Sequence, residues 1–388
     1  MKILGILPAV KVWKKNEKYF YDRKFYDGVR EYCKYWKGEI RCFMQISEHE
    51  LPKFGVIEHN KATPFSLEIV SKSEKDLINI INDTNVLLIS GESFDYLNAY
   101  KILKDKDIKI FYLIENTFKN RIQLAKIENN SIFTKMFFKT FIYLVIGEYK
   151  RIRSFKKAIG LQANGVGAFN FYKKFNKNCL LYFDTRIRKS DLIKEEQLSN
   201  RLKKMQYREL HIGFSGRLTA IKGVNDLITV AKILRTKNIS FKLYIYGDGD
   251  QYAQLYKQIL DNNLLNYVIL KGALSFYDEL VPELKENIDL FILPHKQGDP
   301  SCTYMETLSC GIPIIGYNNE AFEGLMQIAD IGWIIPMSNV EDIANKIEEL
   351  SNTKNQIINK SKNAIKLAKE NYFEKTFENR VKHLLRKV

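Results

Sequence analysis

Two clusters in this chain combine residue types and spacings that could do chemistry. The first is Asp299-Pro-Ser-Cys-Thr-Tyr-Met-Glu306, followed by Thr-Leu-Ser-Cys-Gly311-Ile-Pro313. Asp299-Pro300 breaks the chain, Ser301 and Thr303 are helix-capping types, and Gly311 with Pro313 stops the helix they open. A helix start aims unpaired N–H groups outward and so favours an anion, above all a phosphate. Glu306 lies one to two turns in, where its carboxylate can accept hydrogen bonds from a sugar hydroxyl beside that phosphate. Read without a ligand, the same residues are a capped helix with a solvated glutamate. The second cluster, Gly216-Arg217-Leu-Thr-Ala-Ile-Lys222-Gly223, follows the strand-like run 211–215. A turn glycine admits close approach of a phosphate, Arg217 offers a bidentate fork, and Lys222 a movable point charge. Read without a ligand, these are surface charges at a helix start.

The elements that must position these groups are readable. Apolar runs 288–293, 211–215, 241–246 and 267–270 alternate with helical patterns, and both clusters follow strands, so they belong on the carboxyl edge of one parallel sheet. The first half repeats the rhythm. Strands are expected at Lys2–Val10, Gly38–Gln45, Asn85–Ser90, Ile108–Ile114, Ala158–Asn164 and Cys179–Asp184, with helices at Tyr19–Lys37, from near Phe94, and at Ser131–Lys157. Loops 90–93 and 115–117 should lie at the carboxyl ends of their strands. Glu115 is the carboxylate of interest there, either as a helix cap or in a direct role. The polar stretch Arg188–Glu209 lacks strand periodicity and reads as a linker.

At 388 residues the chain is long enough for two domains, each with its own core. No window approaches twenty uninterrupted apolar residues, and the start runs directly into a strand pattern, so neither a membrane span nor a signal peptide is expected. The five cysteines include no C-x-x-C pair and no His cluster, which fits a reduced, cytosolic chain without a structural metal. Residues 1–200 hold 36 Lys and Arg against 23 Asp and Glu, so +13 of the total +16 sits there. That asymmetry suggests an anionic partner: membrane lipid, a phosphorylated acceptor or nucleic acid. Against nucleic acid stand the absence of a binding motif and the spread of basic groups over an α/β frame. The helix at 131–157 combines Phe, Tyr, Ile and Val with seven Lys and Arg, the makeup either of a helix lying on an anionic bilayer or of a core helix with a solvated face.

The order Gly216-Arg217-Leu with Lys222-Gly223, Tyr246-Gly-Asp-Gly249, Gly272-Ala-Leu274, Asp289-Leu-Phe-Ile-Leu-Pro294 and Glu306-Thr-Leu-Ser-Cys-Gly-Ile-Pro resembles the retaining glycosyltransferases of GT-B architecture, the large group containing sucrose synthases and bacterial mannosyltransferases. The resemblance runs from about Ile212 to Pro336 and is looser before. It implies an α/β fold of two facing Rossmann-like doubly wound domains: an acceptor domain over 1–190, a donor domain over 207–371, and a C-terminal helix at about 372–388 that can pack back on the first. It implies that Arg217 and Lys222 hold a donor diphosphate at the Gly216 turn, that Glu306 binds the ribose, that Ala273 and Leu274 hold the base, and that Ser301, Cys302 and Thr303 bind phosphate and sugar hydroxyls. The family's paired-glutamate motif would put its first carboxylate at 298, where this chain has Gly298; Asp299 is the nearby substitute. Where many members carry a first-domain His, this chain has Glu115. Asp299 and Glu115 are therefore the catalytic candidates. The implied reaction is transfer of a hexose-type sugar from a UDP- or GDP-sugar to a hydroxyl of a lipid-linked or oligosaccharide acceptor, without metal or other cofactor, at an anionic membrane surface and without nucleic acid. A nucleotide-sugar epimerase and a non-catalytic sugar-nucleotide binder share the same plan.

Overall fold

The structure, a computed structural model, describes residues 2–52, 55–71, 80–81, 83–128 and 135–386. The chain forms two compact units, Met1–Tyr182 with Glu374–Val388, and Phe183–Phe373.

In the first unit, β1 (Lys2–Leu7), β4 (Gly38–Met44), β6 (Ser66–Ile69), β7 (Val86–Ser90), β8 (Lys109–Ile114), β9 (Gly160–Asn164) and β10 (Cys179–Tyr182) form a seven-stranded sheet in the order β10-β9-β8-β7-β1-β4-β6. Every pairing is parallel. Strands covered on both faces need continuous apolar runs, and all of β7 and β9 is buried. Around the sheet lie α1 (Arg23–Tyr35), α2 (Ala99–Ile102), α3 (Phe118–Glu128), α4 (Lys135–Lys157) and α5 (Val166–Tyr172). The part of the helix expected at 131–134 falls outside the described residues.

The helix expected from Tyr19 begins only at Arg23. Trp13–Lys15 (β2) and Lys18–Asp22 (β3) instead form an antiparallel hairpin whose two loop residues, Asn16 and Glu17, both have positive φ (49° and 59°). That is the turn geometry matching the twist of paired strands. β3 also pairs with β5 (Val56–Glu58), its Tyr21 is fully buried, and the Asp22 carboxylate accepts a hydrogen bond from the Phe25 N–H to start α1.

The C-terminal helix Phe373–Leu385 supplies the last piece of this unit. Val381 and Leu384 are buried, and the Phe377 ring occupies the space a side chain at Gly28 of α1 would fill. Arg380 Nε donates to Gln162 Oε1 at 3.0 Å, and Gln162 Nε2 donates to the Arg380 carbonyl at 3.0 Å. His383 sits edge-on to Phe111 and makes a 3.0 Å hydrogen bond to Asn178 Oδ1.

The second unit opens with α6 (Glu195–Gln206), not a linker. Leu198, Leu202 and Met205 make one apolar stripe, and Arg201 on the same face is buried by a specific role described below. Then come β11 (Leu210–Ser215), α7 (Val224–Thr236), β12 (Phe241–Tyr246), α8 (Tyr252–Asp261), β13 (Val268–Gly272), α9 (Val281–Asn287), β14 (Leu290–Leu293), α10 (Cys302–Ser309), β15 (Ile314–Tyr317), α11 (Glu320–Ile328), β16 (Gly332–Ile335), α12 (Val340–Asn352) and α13 (Lys354–Lys369). The sheet order is β13-β12-β11-β14-β15-β16, all parallel. Strand order reverses between β11 and β14, and that switch point is where an open α/β sheet leaves a crevice at its carboxyl edge. Among the described residues, no helix is long and apolar enough to cross a membrane.

Burial, with a smaller push from Arg386, lowers the His383 imidazole from its ordinary 6.5 to about 4. The folded chain keeps this ring neutral where the unfolded chain protonates it, so stability is full above pH 6.5 and is lost as the pH falls from 6.5 toward 4. Urea midpoints across that window should fall with pH, and His383→Gln should flatten the slope; a slope identical in the variant removes His383 as its cause.

Candidate functional site

The carboxyl edge of the second sheet is built on turns that only glycine fits. Gly216 (φ 151°) ends β11, and its N–H donates to the Tyr246 carbonyl at 3.1 Å. A Cβ on Gly247 would stand 1.9 Å from the Gly216 carbonyl oxygen, so the turns after β11 and β12 lie in direct backbone contact. Leu218 N–H donates to the Asp248 carbonyl, and Gln251 N–H to the Leu218 carbonyl. Gly223 (φ 69°) caps the short helical turn Ala220–Lys222, and a Cβ there would meet the Pro294 carbonyl oxygen at 2.0 Å. Lys222 is thereby fixed between the segments that follow β11 and β14.

Lys222 is 7% exposed, and its Nζ lies 4.0 Å from Asp299 Oδ1, an ion-pair distance too long for a hydrogen bond. Burial lowers the Lys222 ammonium below its ordinary 10.5; Asp299 opposes that shift, nearby Arg217 adds to it, and Cys302 opposes it weakly. Arg217 is exposed. Asp299 Oδ1 is buried without a hydrogen-bond partner. Two positive charges thus share a corner of the edge with one carboxylate, leaving it net positive.

Ser301 precedes α10, and its hydroxyl reaches the Thr303 hydroxyl at 3.2 Å; Cys302 Sγ lies 3.5 Å from Asp184 Oδ2. Glu306 is 6% exposed and faces Arg186, whose Nε donates to Glu306 Oε1 at 2.8 Å. The same guanidinium lies 3.8 Å from the centroid of the Phe276 ring, and Tyr277 Oη donates to the Arg186 carbonyl at 2.9 Å. Phe276 follows Ala273 and Leu274, which leave the edge after β13, Ala273 being exposed. The Glu306–Arg186–Phe276 chain therefore joins α10 to the loop after β13, and Cys302 is within electrostatic reach of both Lys222 and Arg186. Of the sequence candidates, Gly216, Arg217, Lys222, Asp299, Ser301, Cys302, Thr303 and Glu306 lie on loops or helix starts along one edge of this sheet. Glu115 belongs to the first unit: it is exposed at the end of β8, its N–H donates to Glu92 Oε1 at 2.8 Å, and its carboxylate accepts from Asn164 Nδ2 at 3.4 Å.

Arg186, Phe276 and His295 were not picked out by the sequence. His295 is fully buried beside Lys222, with Phe214 and Tyr304 edge-on to its ring, and neither ring nitrogen has a hydrogen-bond partner. Burial, and secondarily Lys222, hold it neutral. Arg186 pairs with a residue 120 positions away, a contact that no local pattern announces.

With this geometry in view, residues 196–371 match the family model described as Glycosyl transferases group 1. This region is similar to the group 1 glycosyltransferases. It includes every candidate of the second sheet's edge, although Arg186 lies just before it. The chain is 25% identical over 142 residues to the poly(ribitol-phosphate) alpha-N-acetylglucosaminyltransferase of Staphylococcus aureus strain COL, a match covering 36% of this chain and 28% of that protein. It is 31% identical over 106 residues to the 2-deoxystreptamine N-acetyl-D-glucosaminyltransferase of Niallia circulans, covering 27% of each. The match thus spans just over a quarter of the length of these curated relatives. Among solved structures it is similar to Anabaena HepE in complex with UDP, with a TM-score of 0.69 and 12% identity over 100% of both chains. That likeness is one of fold: the α/β, twice Rossmann-like GT-B class.

Two glycines with the same backbone hand separate strain from crowding. Gly272 (φ 71°) has open space around its missing Cβ, whereas Gly223 (φ 69°) faces the Pro294 carbonyl. Gly272→Ala should cost about 1 kcal/mol, the price of the left-handed conformation alone, and Gly223→Ala clearly more, roughly 3 kcal/mol. Chemical denaturation of the two variants measures the difference; equal losses would mean that the turn is not wedged against the segment after β14.

Proposed function

We propose that this chain is a retaining hexosyltransferase, moving a sugar from a nucleotide-diphosphate donor to a hydroxyl of a lipid-linked or cell-surface glycan precursor. The observation that carries the reading is the net positive corner of Lys222, Arg217 and Asp299 beside the start of α10, at the switch point of a domain similar to the group 1 glycosyltransferases. A buried ammonium with no hydrogen-bonding carboxylate is held at a cost that an incoming phosphate offsets. In this reading Arg217, Lys222, the Ser301 hydroxyl and the N–H groups of Cys302 and Thr303 take the diphosphate at the Gly216 turn. Ala273 and Leu274 take the base, and Glu306, held by Arg186, offers its second carboxylate oxygen to the ribose.

The transition state is positive at the anomeric carbon and negative at the leaving phosphate. Fixed cations and helix N–H groups aimed at the phosphate stabilise it most where the charge grows, so they accelerate the step as well as bind. Asp299 would lie on the sugar side of Lys222 and favour the positive carbon. Glu115, at the carboxyl edge of the first sheet, would orient the acceptor hydroxyl. Retention follows if the departing phosphate takes the acceptor's proton on the face it leaves. No metal enters the scheme, since Arg217 and Lys222 carry the neutralising charge.

For the donor, UDP is favoured over GDP, because HepE was solved with UDP. Two of the relatives named above are N-acetylglucosaminyltransferases, which supports a hexose or its N-acetylamino derivative. The polymer acceptor of the S. aureus relative supports a surface-glycan product, as in lipopolysaccharide or capsule assembly. The place of action would be the cytoplasmic face of the plasma membrane, with the protein peripheral to it.

A thermal-shift panel of UDP-, GDP- and ADP-sugars should raise the melting point for one of them, since a donor at 100 times its Kd adds about 2.7 kcal/mol of stability to the folded state. Arg217→Ala, at an exposed position, should leave melting without donor unchanged and lower transfer by about 10²–10³-fold. Full turnover in that variant, or no donor shift in the parent, would sink the diphosphate clamp.

A further inference from the structure

Helix α4 carries an apolar stripe on its outer face that none of the described residues covers. Phe138, Phe141, Ile142, Val145, Ile146 and Tyr149 follow the i, i+3, i+4, i+7, i+8, i+11 spacing of one helical face, and all are exposed: Phe138 by 60%, Ile142 by 58% and Tyr149 by 66%. A monomer rarely leaves six neighbouring large apolar side chains in water without a partner. Lys139, Lys150, Arg153 and Lys157 are exposed along one flank.

The inner face explains why the stripe cannot simply roll inward. Glu148, the only acid of α4, is buried and receives Arg121 Nη1 at 3.1 Å and the Tyr172 hydroxyl at 2.7 Å, with Arg151 Nη1 at 3.6 Å. Arg151 in turn donates to the carbonyls of Gly91 at 2.8 Å and Glu92 at 3.3 Å, in the loop after β7. Phe155 is fully buried, and Gly147 leaves no room for a side chain against the Phe94 ring. This network fixes the rotation of the helix about its axis. The exposed face is left with apolar groups and cations and with no carboxylate.

We infer that the outer face of α4 is a docking surface for an anionic lipid bilayer, the stripe entering the headgroup boundary and the basic flank meeting lipid phosphates. Charge decides between the two natural occupants of an apolar helical stripe. A second copy packed face to face would bring its own Lys139, Lys150 and Arg153 against these, like charges with no acid between them. An anionic headgroup layer meets the same cations with the opposite sign. Because Arg151 ties α4 to the loop after β7, a bilayer seated on the stripe is placed at a fixed distance from the carboxyl edge of the first sheet, where Glu115 stands. The inference rests on the transfer reading only in giving that edge a lipid-borne acceptor.

The test is co-sedimentation of the full chain with phosphatidylcholine vesicles, with and without phosphatidylglycerol, alongside the donor thermal shift. Binding is expected only with the anionic lipid and should weaken with salt. Ile142→Asp with Ile146→Asp should reduce it by at least about tenfold, since two apolar anchors are lost. Lys139→Gln with Lys150→Gln should weaken it and blunt its salt dependence. Both variants should melt as the parent does and keep the donor shift, the altered side chains being exposed. Absence of vesicle binding by the parent overturns the surface, and a donor shift retained in the same sample leaves the transferase reading standing. A parent that is dimeric by light scattering, and monomeric once Ile142→Asp is introduced, also overturns it in favour of a second copy. Vesicle binding that survives both variants assigns the membrane contact to another face and refutes this one.

Discussion

A lysine ammonium kept out of water is the constraint around which the edge of the second sheet is arranged. Lys222 is buried by backbone, because Gly223 lets the Pro294 carbonyl approach and Gly247 lets the β12 turn press on Gly216. Its nearest carboxylate, Asp299, stands at 4.0 Å and leaves an oxygen unsatisfied. His295 beside it is kept neutral and makes no hydrogen bond through its ring. A site optimised only for stability would close these gaps or replace the ions by apolar side chains. Unsatisfied polar atoms gathered around a buried cation are the mark of a place kept for something else.

The helix that shares this edge is held from both ends. Arg201 of α6 is fully buried and gives its guanidinium protons to the carbonyls of Leu284, Lys285, Cys310 and Gly311, fastening the last turn of α10. Burial lowers that guanidinium to about 10, still far above neutral pH, so it remains a cation at the negative end of the helix. Toward the start, Arg186 pairs with Glu306 and stacks on Phe276. One arginine fixes where the helix stops and another which way its carboxylate faces. The N–H groups at its start are thereby aimed without side-chain capping from Ser301, which makes no cap hydrogen bond.

What the sequence disclosed and what it hid follow from the range of the interactions. Parallel strands covered on both faces must be apolar throughout, so runs such as Val86–Ser90 and Leu290–Leu293 are legible one residue at a time. Gly216, Arg217 and Lys222 lie within seven positions of one another, and their joint placement follows from a single strand–turn–helix unit. The hairpin at Trp13–Asp22 was hidden because Tyr, Phe and Lys serve a helix as readily as a strand; the two left-handed residues that decide it, Asn16 and Glu17, carry no glycine. Helix α6 was hidden because only three apolar residues mark its inner face and the fourth buried position is an arginine. The Arg186–Glu306 pair and the buried His295 are products of tertiary closure, which no window of sequence contains.

The path of the chain has a consequence for its manufacture. The first sheet reaches its full set of neighbours only when residues 374–388 arrive, and these are translated after the whole of the second unit, residues 183–373. At about 5–20 residues per second, roughly 10–40 s separate the emergence of β10 from that of the closing helix. Through that interval the recess at Gly28 and the amide of Gln162 stay bare on the nascent chain, exposed to chaperones and to neighbouring polypeptides on the same polysome, while the second unit, whose segments are contiguous, can finish folding first.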